Sequence, residues 1–371
     1  MNSYGRGKKS SAKQLLLIIA GLTLLLLLLF IAGYYPNFIE KYYATTLYQG
    51  IAFVTHLLLG WIPLSLGDIF YTAIVAITLL YVWQLIMKLL RKHYRQAGLS
   101  LFKLFIGLQL FIAAFYLLWG MNYFRPPAAQ ILSLQDSTYT FNRLQAVTRL
   151  LIDSVNANRN SLSKSEQKES NDTIYSNAID AIKQLGRKNK DLQSFHPAVK
   201  PSMFTPVINY MGTAGYFNPF SGEAQVNYAM PIVNRPVTAC HEMVHQMGFA
   251  REDEANFIGF LAGKSSPDRL LRYSAYYMAV QEFMHQVYRR DTVVYHQLKA
   301  NLSPAVKNDM KADREYWEYY QNQLGYLSGL FYDRFLKINN QPEGLRTYNR
   351  MINLTMAYYK PLLNPLRKGG L

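Results

Sequence analysis

Two histidines and a glutamate occupy positions 241, 245 and 242 in the pattern HExxH. Because residues four apart lie on the same face of a helix, both imidazoles can bind one metal ion while Glu242 reaches a water molecule on that ion. An ion such as zinc lowers the pKa of bound water toward about 7, and a nearby carboxylate can accept the proton. The spacing therefore predicts metal-assisted hydrolysis, with His241 and His245 as ligands and Glu242 as general base.

A third ligand is expected among the acids that follow, Glu252 and Glu254. On an uninterrupted helix, Glu252 would lie about 16 Å beyond His241 along the axis, too far for one ion to reach both. The chain must therefore turn back after His245, and Gly248 can end the first helix in the left-handed conformation. A second helix starting near residue 250 or 251 would present Glu252 from its first turn. Glu254, on the opposite side of that helix, stays the alternative.

Further candidates are weaker. Asn256 lies one turn after Glu252 and can hydrogen-bond a ligating side chain, which fixes its orientation. His285 and Tyr273 could stabilise an oxyanion, but the chain has 29 tyrosines and core packing is their commoner role. The single cysteine, Cys240, excludes a disulfide framework and is expected to be a small buried residue. One zinc ion is the predicted cofactor, with manganese and cobalt as alternatives.

This set of residues resembles the zincin metallopeptidases, and within them the gluzincin-like branch, where an ExxAD or ExxAN helix follows HExxH. The resemblance implies His241, His245 and Glu252 as zinc ligands and Glu242 as general base. It also implies that Asn256 orients a ligand. The six residues between His245 and Glu252 are fewer than is usual in that branch.

Nearly the whole chain is also similar to an uncharacterised family of bacterial membrane proteins of unknown function (DUF3810), notably over residues 119–126, 219–224 and 241–257. This similarity implies a multi-pass protein of the bacterial inner membrane. As the zincin resemblance implies, the alternating segment 224–230 would be an edge strand that can pair with an extended peptide beside the metal.

Three apolar runs, at about 14–35, 69–90 and 104–121, are each long enough to cross a hydrocarbon core of roughly 30 Å. Basic residues precede the first run and separate the second from the third, which marks the cytoplasmic side. Segment 51–66 is apolar but contains His56, Gly60 and Pro63. It is predicted to be re-entrant or interfacial, because a fourth crossing would move the basic loop to the wrong side.

These features predict a cytoplasmic N-terminus over 1–13, a membrane domain over 14–122 and an extracytoplasmic zincin-like domain over 123–371. The predicted fold is mainly α with a small β element. Helical periodicity is clearest at 141–156 and 171–185, and later in three stretches: 273–288, 311–335 and 344–359.

The net charge of +16 divides equally between residues 1–122 and 123–371. In the second part acids are interleaved with bases, which disfavours a nucleic-acid groove. The predicted partners are therefore the membrane and a peptide or protein substrate, while the oligomeric state stays undetermined by the sequence.

The leading prediction is a membrane-anchored zinc metallopeptidase that hydrolyses peptide bonds in the cell envelope. A non-catalytic zinc-binding membrane scaffold is one alternative, and an amidase acting on cell-wall peptides is another. An intramembrane protease is disfavoured, because charged residues such as Arg235, Arg251 and Asp253 surround the motif.

Overall fold

A computed structural model of the protein describes residues 12–134, 138–342, 344 and 351–363. Within these residues the chain is mainly helical, with one small sheet. The α-helices are α1 (Ala12–Ala32), α2 (Pro36–Phe38), α3 (Tyr48–Leu59), α4 (Leu66–Leu90), α5 (Tyr94–Leu118), α6 (Ala128–Ile131), α7 (Phe141–Ser161), α8 (Asn171–Lys188), α9 (Thr205–Tyr210), α10 (Arg235–Gln246), α11 (Glu252–Lys264), α12 (Arg269–Arg290), α13 (Thr292–Ala300), α14 (Pro304–Tyr319), α15 (Gln323–Ile338) and α16 (Met351–Leu363). A π-helix covers Ile39–Leu47, and 3-10 turns cover Gly120–Phe124, Glu166–Lys168 and Lys190–Leu192.

Among the described residues, three helices are long and apolar enough to cross a membrane: α1, α4 and α5. They coincide with the three predicted runs, except that α5 begins at Tyr94 rather than near residue 104. Nothing between Tyr94 and Leu104 breaks a helix, since isolated basic residues such as Lys103 are good helix formers. Large apolar side chains on these helices point outward, which fits a protein embedded in lipid.

The segment between α1 and α4 folds onto the rest of the protein. It is helical from Pro36 to Leu59, and α3, with 12 residues, is too short to span a bilayer. Tyr43 and Tyr48 are buried in a cluster with Trp119 and Met121, next to the end of α5. The helical part therefore starts before the predicted segment 51–66, and it ends at Leu59, ahead of Pro63.

The sheet has three strands in the order β1-β3-β2. Strand β3 (Glu223–Val226) pairs in parallel with β1 (Val199–Pro201) and antiparallel with β2 (Gly215–Asn218). The predicted edge strand over 224–230 is therefore wrong in place and length, since β3 is central and ends at Val226. The reason is that its polar residues are buried rather than solvated: Glu223, for example, accepts a hydrogen bond from Lys200 at 2.6 Å.

One hydrophobic core joins the elements that follow residue 127. Helix α10 lies at its centre and packs on α8, α11, α12 and β3. Phe257, Phe260 and Phe283 are fully buried and fill the space around it. The predicted helix over 311–335 is two helices, α14 and α15, separated at Asn322, whose side chain caps the start of α15. Residues 345–350 of the predicted 344–359 helix lie outside the described residues.

Candidate metal centre

Helix α10 places the HExxH residues between the core and a cavity. Pro236 stands in its first turn, where the missing N–H costs nothing, and Cys240, Met243 and Val244 are fully buried in the core. His241, Glu242 and His245 line the cavity instead. One face of α10 therefore packs in the hydrophobic core. The opposite face carries ionisable groups, which are also shielded from solvent.

The chain reverses direction immediately after α10, as the sequence predicts. Gly248 has φ of +85°, and its N–H donates to the carbonyl of His245 at 3.0 Å. A Cβ at this glycine would meet the Asn122 side chain at 2.9 Å and the Tyr48 ring at 3.0 Å. Helix α11 then begins at Glu252, so the acid projects from the first turn of a helix that packs against α10.

His241, His245 and Glu252 come together at this reversal. The two imidazole Nε2 atoms lie 3.2 Å apart, and Glu252 oxygens lie 3.2 Å from His241 Nε2 and 3.8 Å from His245 Nε2. Ligands about 2.1 Å from a tetrahedral ion are separated by about 3.4 Å. The two distances to Glu252 end on different carboxylate oxygens, and one donor atom from each of the three residues lies within 4.8 Å of the others, a grouping that could hold one metal ion.

Both imidazoles are held by their other ring nitrogen. His245 Nδ1 lies 2.7 Å from the carbonyl oxygen of Phe249, which can only accept a hydrogen bond, so the proton must be on Nδ1. His241 Nδ1 lies 2.7 Å from Asn256 Oδ1 in the same relation. In each neutral ring the lone pair is then on Nε2, the atom that faces the cluster, which is the arrangement that metal-binding histidines adopt.

The electrostatics of the cluster favour positive charge between these side chains. Burial alone raises the pKa of Glu252, but hydrogen bonding to His241 and the charges of both imidazoles lower it to about 2. Burial lowers the pKa of His241, yet Glu252 and Glu242 raise it to about 9. Burial also lowers the pKa of His245, to about 4. The site therefore combines an anionic carboxylate, a neutral imidazole and a second imidazole that attracts a proton.

Glu242 is near the three donors but does not belong to their cluster. Burial, and secondarily the charge of Glu252, raise its pKa to about 8 against the lowering influence of His241. Its carboxylate lies against strand β2, since a Cβ at Gly215 would come within 2.8 Å of its Oε1. A carboxyl group between the donors and the outer strand can exchange a proton with whatever lies in the cavity.

The remaining candidates lie elsewhere. Glu254 Oε1 accepts a hydrogen bond from the backbone N–H of Ala128 at 2.7 Å, so of the two acids only Glu252 faces the histidines. Tyr273 is buried in the core and donates to Asp309 at 2.7 Å. His285 is exposed on α12, and neither it nor Tyr273 lines the cavity. Tyr273 therefore has the core-packing role that the sequence favours, and neither residue lies where it could stabilise an oxyanion in the cavity.

Tyr332 was not predicted from the sequence but reaches the cluster. It lies on α15, and its hydroxyl donates to Glu252 Oε1 at 2.5 Å. The two residues are 80 positions apart, and no motif or periodicity links them. Only the position of α15 at the wall of the cavity brings them together.

Residues next to the apolar helices hold the end of α10. Trp119 Nε1 donates to the carbonyl of His245 at 3.0 Å, and the Tyr48 hydroxyl donates to that of Gln246 at 2.8 Å. The last carbonyls of a helix have no partner within the helix, so such donors stabilise its end. The Trp119 ring also packs edge-on against the His245 ring, with 5.9 Å between centroids.

Arg125 holds the reversal itself. Its Nη1 donates to the carbonyl of Gly248 at 2.9 Å, and its guanidinium lies 4.7 Å from the centroid of the Phe249 ring. Two further donors pair with Glu40 at 2.7 and 2.8 Å, in a bidentate ion pair. This partly buried pair ties the π-helix between α1 and α3 to the turn that positions Glu252.

The cluster lies in a cavity of about 1880 Å³. Ligand pockets are usually about 300–1,000 Å³, so this space is large even for a whole peptide segment. Its walls come from α4, α5, β2 and α15, and they are rich in aromatic side chains. The donors of the cluster are therefore accessible to a large, mostly apolar molecule.

A protein-family model described as "Protein of unknown function (DUF3810)" matches residues 43–356. The matched range contains the cluster, the residues that hold α10, and two of the three apolar helices. A search of the curated proteins found no match, and a search of the solved structures found none either.

Proposed function

The chain belongs to DUF3810, a family of proteins of unknown function, and we propose that this member is a zinc-dependent peptidase held in the membrane by its apolar helices. The observation that carries the proposal is the convergence of His241, His245 and Glu252 beside Glu242 at one end of a large cavity. Two imidazoles and a carboxylate suit zinc, and three protein ligands leave a fourth position for water or substrate.

Bound to these three side chains, a zinc ion would lower the pKa of water and polarise a substrate carbonyl. In its ionised form, Glu242 would accept a proton of the attacking water on a carboxylate oxygen and donate it to the leaving amine. Asn256 and the Phe249 carbonyl keep the Nδ1 protons of the two histidines in place. Tyr332 holds one oxygen of Glu252, so the carboxylate cannot rotate freely.

Strand β2 supports a peptide as the substrate. It is an outer strand of the sheet, with β3 as its single strand neighbour in the described part of the chain. Its residues line the cavity, and Gly215 leaves room for Glu242 beside the strand. An extended peptide added along β2 would gain main-chain hydrogen bonds and place a carbonyl near the cluster.

The arrangement of α4 and α5 supports an extracytoplasmic site. The two helices are joined by a short turn that contains Arg91 and Lys92, with Lys88 and Arg95 close by. Their opposite ends, Leu66 and Leu118, lie on the side of the candidate metal centre. By the preference of basic residues for the cytoplasm, the site would face the cell envelope. Activity of a C-terminally fused reporter that functions only in the cytoplasm would contradict this orientation.

The decisive variant is Glu242→Gln in the full chain. It keeps the size of the side chain and the three donors, so we expect one bound zinc per chain by elemental analysis and the wild-type Tm. Cleavage of a peptide library should fall by a factor of at least about 10², the typical contribution of a general base. The matched control is His241→Ala, which should lose both zinc and cleavage.

Three results would contradict the proposal. Wild-type cleavage by Glu242→Gln would exclude the mechanism. Bound zinc without cleavage of peptides or of purified wall fragments, by the wild type, would favour the scaffold. Cleavage of wall fragments alone would favour the amidase.

A further inference from the structure

The cavity beside the metal cluster continues between the apolar helices. Phe111 on α5 and Tyr71 on α4 line it, and both rings contact Phe220, which follows β2. The ring centroids of Phe111 and Phe220 lie 4.7 Å apart, and those of Tyr71 and Phe220 lie 6.0 Å apart. We call these three residues, together with Phe115, the aromatic wall.

The helix residues of the aromatic wall lie one to two turns inward from the ends of α4 and α5 that are near the metal cluster. Phe111 lies seven residues before Leu118, where α5 ends, which is about 10 Å along a helix axis. Tyr71 lies five residues after Leu66, where α4 begins, which is about 8 Å. In a bilayer spanned by α4 and α5, which are long and apolar enough to cross one, this part of the cavity would lie at the depth of the hydrocarbon region.

The same cavity reaches the donors of the cluster without interruption. Trp119 and Phe217 pack against the His245 ring, with centroids 5.9 and 6.4 Å away. Both residues line the cavity, as do Glu242 and Phe111. A molecule that fills it therefore has one part near the ionisable groups of α10 and another part among aromatic side chains at membrane depth.

A peptide chain is a poor occupant of the aromatic wall. Extended backbone in an apolar environment leaves N–H and C=O groups without partners, at a cost of several kcal/mol per group. The wall residues present rings, with few groups to pair with a main chain. A hydrocarbon chain has no polar groups to satisfy and adapts its shape to an irregular apolar space.

We propose that the substrate is a lipidated peptide, whose acyl chain lies against the aromatic wall while its peptide part lies along β2 at the metal cluster. This inference rests on the proposed peptidase function and assigns the substrate class to the same site. The scissile bond is then close to the acylated residue, since both parts occupy one cavity.

Cleavage by the full-length protein in phosphatidylcholine vesicles tests the proposal. One peptide is supplied with and without an N-terminal palmitoyl group, and the ratio of the two kcat/KM values is measured. We expect a ratio of at least ten for the wild type and at least a fivefold lower ratio for Phe111→Ser. Leu110→Ser is the matched control, because Leu110 is the adjacent residue on α5, lies outside the cavity and is 53% exposed. The vesicles concentrate the acyl peptide equally for every variant, so this effect cancels when the variants are compared.

A second measurement does not depend on turnover. The Glu242→Gln protein is irradiated with the palmitoyl peptide carrying a diazirine in its acyl chain, and labelled residues are mapped by mass spectrometry. We expect labels on the segments around Phe111 and Phe220. An excess of the palmitoyl peptide without the diazirine should compete for the site and abolish this labelling. A photoreactive phospholipid should not label the segment around Phe220.

The outcomes separate this inference from the proposed function. Equal kcat/KM ratios in the wild type and Phe111→Ser, or equal labelling of Phe220 by phospholipid, would overturn the acyl assignment while leaving the peptidase intact. Specific labelling without cleavage of any peptide would support the acyl site and contradict the peptidase. Equally efficient, Phe111-dependent cleavage of the same peptide fused to a transmembrane helix would also overturn the acyl assignment.

Discussion

Hydrogen bonds to Nδ1, the ring nitrogen that faces away from the cluster, hold His241 and His245 in position. Asn256 Oδ1 and the Phe249 carbonyl each accept one Nδ1–H at 2.7 Å, which leaves both Nε2 lone pairs facing Glu252. One of these acceptors is a side chain and can be changed, whereas the other is backbone. The side-chain acceptor therefore offers a direct test of how much the orientation of an imidazole contributes to metal binding.

Asn256→Ala should lower the zinc affinity of the full chain by about 10–100-fold, the usual effect of removing a group that orients a ligand. Asn256→Asp retains an oxygen at the same position and should restore most of the affinity. Competition with a chromogenic chelator measures both. Equal affinities for Asn256→Ala and the wild type would show that His241 needs no such support.

Gly248→Ala should destabilise the protein by about 1–3 kcal/mol, because the residue has a positive φ and its new Cβ would contact Asn122 and Tyr48. Zinc affinity should fall as well, since the turn places Glu252. Gly107→Ala on α5 is a suitable control, because a Cβ there meets no atom within 4 Å. Thermal unfolding in the same detergent compares them, and an unchanged Tm for Gly248→Ala would contradict the role of the turn.

At this scale the sequence predicts the positions of the donors well, because they depend on local rules. The period of a helix places His241 and His245 together, and the need for a reversal singles out Gly248. The same rules favour Glu252 over Glu254, and the structure places only Glu252 with the histidines. The roles of these residues as ligands stay a prediction until metal binding is measured.

Among the elements, α10 and α11 form the site, and α15 lines the cavity beside it. Helix α15 carries exposed apolar residues such as Leu327 and Phe331, yet Tyr332 on the same helix points at Glu252. The Tyr332 hydroxyl therefore couples the position of α15 to the orientation of the Glu252 carboxylate.

Tyr332→Phe should reduce zinc affinity about fivefold, because Glu252 loses a hydrogen bond that contributes about 1 kcal/mol. Tyr319→Phe, at the exposed end of α14, removes a hydroxyl that does not line the cavity and should change nothing. Chelator competition on the two variants in parallel gives the comparison. An unchanged affinity for Tyr332→Phe would mean that the metal holds Glu252 without help from α15.

The helices could be predicted from apolar periodicity, whereas the sheet could not be predicted correctly. The alternation over 224–230 indicates a strand but says nothing about its neighbours, and β3 is central because β1 pairs with the side of β3 that the preceding strand β2 leaves free. Asn322 divides the apolar pattern over 311–335 into α14 and α15. Its capping role depends on packing that a single sequence does not record.

At the scale of the whole molecule, the membrane-proximal segments and the site share one structure. Glu40, Tyr48, Trp119 and Arg125 all precede or adjoin the predicted domain boundary at residue 123, and each contributes to holding the end of α10 or its turn. These contacts join residues more than 80 positions apart. No spacing in the sequence indicates these contacts. The sequence therefore predicts a sharp domain boundary at a place where the structure has many contacts across it.

A fragment of residues 123–371 should therefore fail to form the site, although it contains every candidate ligand. We expect it to bind zinc at least 100-fold more weakly than the full chain and to lack a cooperative thermal transition. The loss of the Tyr48 and Trp119 donors to helix-end carbonyls, together with the loss of Glu40 as the ion-pair partner of Arg125, is enough to unfold a domain of marginal stability. A fragment that binds zinc as tightly as the full chain would show that the site is autonomous.

Cys240 gives this protein a reporter of its own. It is the sole cysteine of the chain, it is fully buried, and it precedes His241 on α10. Burial also raises the pKa of its thiol, so the reactive thiolate is scarce in the native state. A maleimide can modify it only in molecules whose α10 has separated from the core. The rate of alkylation of the unmodified wild-type protein thus counts the openings of the histidine-bearing helix, and it allows lipids and metals to be ranked by how firmly they keep that helix closed.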